Sequence, residues 1–134
     1  MQEVIYLGQI VLALVLGGIL GWQREHAGKA AGPRTYALVA AGSALFTILS
    51  MTAFGAIDTT RVAAGVVTGI GFLGAGMIIR QDSTHISGLT TAAGLWVSAA
   101  IGMAVASEYY ILAIFSTVVI FLILTVDDDR LNKK

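Results

Sequence analysis

Five uninterrupted apolar stretches decide what this chain can fold into. They run over 4–21, 36–54, 62–79, 89–106 and 109–126, and none contains Asp, Glu, Lys or Arg. As helices rising ~1.5 Å per residue they reach roughly 27 Å, close to the ~30 Å hydrocarbon core of a bilayer. Lipid supplies no hydrogen-bond partner to a bare backbone, so such segments must close their bonds internally as helices, and the alternation of a β-barrel strand is absent. The expected fold is an all-α integral membrane protein, a bundle of about five transmembrane helices over residues 1–126 with a short polar tail at 127–134.

Composition supports the same class. Hydrophobic residues make up 57% of the chain and charged residues 12%, against about 25% charged in soluble domains. Sixteen charged side chains, eight of each sign, could not cover a soluble surface of this greasiness. The balanced charge also gives no field to gather nucleic acid, so no nucleic-acid partner is expected. With no cysteine there are no disulfides and no thiolate metal ligands. Met1, Gln2 and Glu3 lead straight into an apolar run without a basic n-region or cleavage site, which reads as a retained first helix.

Orientation follows from the basic residues. Arg24, Lys29 and Arg34 follow span one, Arg80 follows span three, and Arg130, Lys133 and Lys134 follow span five; Arg61 alone falls on the other side. The positive-inside rule then places the N-terminus outside and the C-terminus in the cytoplasm. Trp22 and Tyr36 at the inner boundary, and Tyr6, Tyr109 and Tyr110 near the outer one, stand where amphipathic aromatics anchor helices at the headgroups.

Small residues recur at helical spacing: Gly17 and Gly21 in span one, Gly65, Gly69 and Gly76 in span three, and Gly94, Ser98, Gly102 and Ala106 in span four. Missing side chains let helix backbones approach where lipid gives no hydrophobic drive, so these are expected packing faces, with spans three and four central and span five peripheral. A homodimer through them is one expected use. The run Gly69, Ile70, Gly71, Phe72, Leu73, Gly74 spells GxGxxG, but a dinucleotide site needs a preceding strand and an aqueous helix N-terminus. Inside an apolar span, tight packing is the stronger reading and a locally unwound helix lining a cavity the weaker one.

No span holds an ionisable carboxylate or base, although ion pathways in membranes are commonly marked by one. The expectation is therefore a bundle without buried charge. Gln9, Ser43, Thr47, Thr68 and Ser98 are the polar groups at depth, better suited to bridging helices than to a ligand site. Arg24, Glu25, Lys29, Arg34 and Thr35 on one connection, and Arg80, Asp82, Thr90 and Thr91 around the other, are the functional candidates of the cytoplasmic face. His26 and His85 do not make a metal site, no cofactor is implied, and no nucleophile, base and orienter can be assembled into an enzyme.

Three blocks carry a family resemblance. The first is Gly21, Trp22, Gln23, Arg24, Glu25 with Lys29, Ala31, Gly32, Pro33, Arg34, Thr35. The second is Arg61, Val62, Ala63, Ala64 with Val67, Thr68 and the run 69–76, and the third is Gly88 to Trp96, where some relatives carry Asn at the place of Thr90. Together they resemble the MgtC/SapB membrane proteins. The resemblance implies a five-helix inner-membrane domain with a cytoplasmic C-terminus, to which longer relatives add a soluble domain. It further implies a role in adaptation to low magnesium, acid or host stress, as in virulence, exercised through membrane partners including the ATP synthase. Two functions are carried forward: a regulator acting by helix contact with a membrane partner, and a magnesium or other cation transporter.

Overall fold

The computed structural model describes residues 1–54, 59–80 and 86–126. Five helices follow one another: α1 (Gln2–His26), α2 (Pro33–Thr52), α3 (Thr59–Met77), α4 (Leu89–Ala106) and α5 (Tyr110–Thr125). Two residues on each side of the α3–α4 connection, β1 (Ile79–Arg80) and β2 (Ile86–Ser87), pair antiparallel. Helices α1 to α4 are long and apolar enough to cross a membrane; α5 is equally apolar but has 16 residues.

Local chemistry sets the helix ends. The chain leaves α1 through Gly28 at φ +68°, and Pro33 opens α2 at a position where its missing N–H is not needed. Gly88 caps α4 at φ +91°, directly over the Met77 carbonyl, where any Cβ would collide. Only glycine holds that turn without strain.

The bundle is built around α2. Helix α1 lies so close that a Cβ at Gly17 would stand 2.6 Å from the Tyr36 carbonyl oxygen and 2.8 Å from the Ala40 Cβ. At Gly21 it would stand 2.6 Å from the Gly32 oxygen. On the opposite side, a Cβ at Gly94 would strike the Tyr36 hydroxyl, and one at Gly102 the Ala40 carbonyl and Ser43 Oγ. Tyr36 and Ala40, one turn apart, are thus gripped by glycines of two helices, and both are fully buried.

Polar side chains tie the same helices together. Ser43 Oγ donates to the Ala99 carbonyl at 2.7 Å, Ser98 Oγ to the Tyr36 carbonyl at 3.0 Å, and Gln9 Nε2 to the Tyr110 hydroxyl at 3.0 Å. Such bonds between helices are worth about 0.6 kcal/mol each in a bilayer, up to ~1.7. They add to the close backbone approach and fix the register.

Two expectations need correction. Helix α4 is central, with half of its apolar window buried, but α3 has 6% of its window buried and lies at the edge. It leans mainly on α4, through Gly74 and Ala92, with little against α2. Tyr36, expected as a headgroup anchor, is instead buried, with its ring against Gly94 and its backbone carbonyl against Gly17. Span three is one continuous helix through its glycines, so the unwound alternative does not hold.

Candidate functional site

Helix α1 does not stop at Gly21. It runs one and a half turns further, to His26, and carries Arg24 inward rather than into a surface loop. Arg24 is 4% exposed, and among the described residues it is the one buried charged side chain. Its Nη2 donates to Thr91 Oγ1 at 3.2 Å, and its guanidinium lies beside the Tyr36 hydroxyl. That hydroxyl in turn donates to the Thr91 carbonyl at 3.2 Å. Arg24, Tyr36 and Thr91 therefore join α1, α2 and the first turn of α4. The bundle is not free of buried charge, because the apolar run that defined span one ended before the helix did.

The other candidates of this end are spread out. Glu25, Lys29, Arg34 and Thr35 are exposed, and Thr90 is half-buried. Glu25 covers Gly32, where an added Cβ would come within 3.7 Å of its own Cβ. Arg80 belongs to β1, while Asp82 and His85 lie outside the described residues. Among the described residues no group of three or more His, Asp or Glu side chains converges as metal ligands would.

The packing glycines divide into two sets. Gly17, Gly21, Gly94 and Gly102 are pressed against α2 and the connection before it, and Gly74 makes ordinary contact with Ala92, while Ser98 is fully buried. At Gly65, Gly69, Gly71 and Gly76 an added Cβ would meet nothing within 4 Å. These four lie on the edge helix, where among the described residues nothing stands close enough to meet an added side chain. Beside them a cleft of about 720 Å³ opens between α2 and α3, lined by Leu38, Gly42, Phe46, Gly65, Gly69 and Leu73 among others. Arg34 and Thr35, at the start of α2, sit at one end of it. Thr68 is exposed but donates to the Ala64 carbonyl of its own helix at 2.9 Å, so its proton serves the backbone.

Two residues of the inner network escaped the sequence reading. Gln23 Nε2 donates to the Leu124 carbonyl, closing α5 onto α1, and Tyr36 organises three helices. A stripe of small residues on two helices signals that something fills the gap, but not which side chain of a third helix does so.

Helices of this length and apolarity, tied by buried polar side chains, define a multi-pass membrane protein. Within that class the chain belongs to the MgtC family, whose model matches residues 10–131. It is 44% identical over 126 residues to "Putative magnesium transporter YhiD" of Escherichia coli K12, covering 88% of this chain and 58% of that relative. It is 48% identical over 91 residues to "Protein MgtC" of Brucella abortus, covering 68% of this chain and 38% of that relative. To "Protein SrpB" of Synechococcus elongatus it is 38% identical over 122 residues, covering 81% of this chain and 67% of that relative. The chain thus spans little more than half the length of YhiD. No solved structure matches it.

Proposed function

We propose that this protein is an inner-membrane regulator that works by docking a partner's transmembrane helix on α3, in adaptation to low magnesium, acid or host stress. One observation carries the reading. Gly65, Gly69 and Gly76 share a stripe of α3 where an added Cβ would meet nothing within 4 Å among the described residues, beside an apolar cleft that continues onto α2. Close packing between helices in lipid is strongest where such residues meet a second backbone. The partner is a membrane complex such as the ATP synthase, or a second copy of the chain. Seven of the eight basic residues on one side support an outside N-terminus and a cytoplasmic C-terminus.

The test is Gly69→Leu in cells starved of magnesium. The variant is expected to accumulate and fold as the parent does while losing the partner and the growth benefit. Parental growth with Gly69→Leu would sink the reading.

A second reading, cation transport, is favoured by the printed name of the YhiD relative. Magnesium is usually held by one or two carboxylates with water, and Glu25 is exposed at the end of α1 rather than at mid-depth. Uptake of magnesium by proteoliposomes holding only the purified protein would establish this second reading over the first.

A further inference from the structure

Arg24 has a second side. Besides joining the three helices, it lines a separate cleft of about 540 Å³ between the ends of α1 and α5. Trp22, Gln23, His26 and Lys29 line the α1 wall with it, and Phe121, Leu124 and Val126 the α5 wall. Among the described residues that line it there is no carboxylate. Arg24 Nε, fully withdrawn from solvent, has no hydrogen-bond partner, and neither has Gln23 Oε1.

A guanidinium buried to this degree needs charge compensation, because an uncompensated charge in a low-dielectric surrounding is strongly disfavoured. The chain makes matters worse locally. The Nη2 of Arg24 points at Thr91 in the first turn of α4, the positive end of that helix's dipole. Two positive poles therefore face each other, and Lys29 adds a third positive group close by. The α5 wall is apolar apart from the Thr125 hydroxyl, and the half-exposed Trp22 ring lines the cleft as amphipathic aromatics do where they meet headgroups.

The geometry points to an anionic phospholipid as the occupant, its headgroup phosphate on Arg24 and Lys29 and an acyl chain along Phe121 and Leu124. Basic pockets between helices at a membrane face bind anionic headgroups in this way. A guanidinium fork suits a phosphate, and Arg24 is the buried cation that lines the cleft. This site is distinct from the α3 face and stands or falls independently of the docking reading.

The test uses the intact chain in detergent with Trp96→Phe, which leaves Trp22 as the one tryptophan. Short-chain phosphatidylglycerol, phosphatidylcholine and inorganic phosphate are titrated against Trp22 emission. Phosphatidylglycerol is expected to bind at least about tenfold more tightly than the other two. Lys29→Gln, an exposed change that cannot disturb packing, is expected to weaken it several-fold, and Arg24→Gln by more. Equal binding of phosphatidylcholine, or of phosphate without acyl chains, would overturn the proposal, as would an unchanged affinity in Lys29→Gln. The triple change Asp127→Asn, Asp128→Asn and Asp129→Asn must leave the selectivity as it was. A tenfold gain there would assign the cleft to the chain's own acidic run instead.

Discussion

Tyr36 shows how a single side chain can hold this bundle. Its ring occupies the gap opposite Gly94, its carbonyl accepts from Ser98 and its hydroxyl donates to Thr91. Gly94→Ala is therefore expected to cost about 1–3 kcal/mol by overpacking, read as a fall in unfolding temperature in detergent. Because the first clash is with the hydroxyl, adding Tyr36→Phe should return part of the loss; two fully additive penalties would show that the pair is not in contact. Ser43→Ala, which removes the bond to Ala99, should cost only about 0.6 kcal/mol in the same assay. Glycine stripes were visible in the sequence, but the side chain they enclose was not. A tyrosine near a span end reads as a headgroup anchor unless the third helix is already in place.

At the scale of elements, the five apolar runs gave the number and order of the helices, because charge exclusion and length are both set by the bilayer. Helix ends were less legible. The apolar run of span one ends at Gly21, where polarity begins, yet backbone hydrogen bonding continues to His26 and turns Arg24 inward. Which glycine stripe faces a neighbour was not legible either, since α3 and α4 carry similar patterns and only tertiary packing separates them. That difference gives a prediction. Gly102→Leu should abolish folding, for its side chain would run into the Ala40 carbonyl, whereas Gly69→Leu should keep the parental unfolding temperature. Equal destabilisation by the two would mean that α3 is packed as tightly as α4. Gly88→Ala, at φ +91° over Met77, should cost about 1–3 kcal/mol through strain at the α3–α4 turn.

For the whole molecule, the structure is a tight α1–α2–α4 core with α5 against α1 and α4, and with α3 attached along one edge. The membrane class was legible from composition and the family from its motifs, while function was not, since the deciding feature is a face left uncovered. The absence of cysteine makes that face easy to probe. Phe72, 82% exposed, is on α3 beside the glycine stripe, and Phe115, 67% exposed, is on α5. A photo-cross-linker placed in native membranes through Phe72→Cys or Phe115→Cys reports what each face touches. The α3 probe is expected to give a discrete protein adduct that Gly69→Leu abolishes, and the α5 probe to give lipid adducts alone. Lipid adducts alone from both positions, or a protein adduct that survives Gly69→Leu, would contradict a docking face on α3.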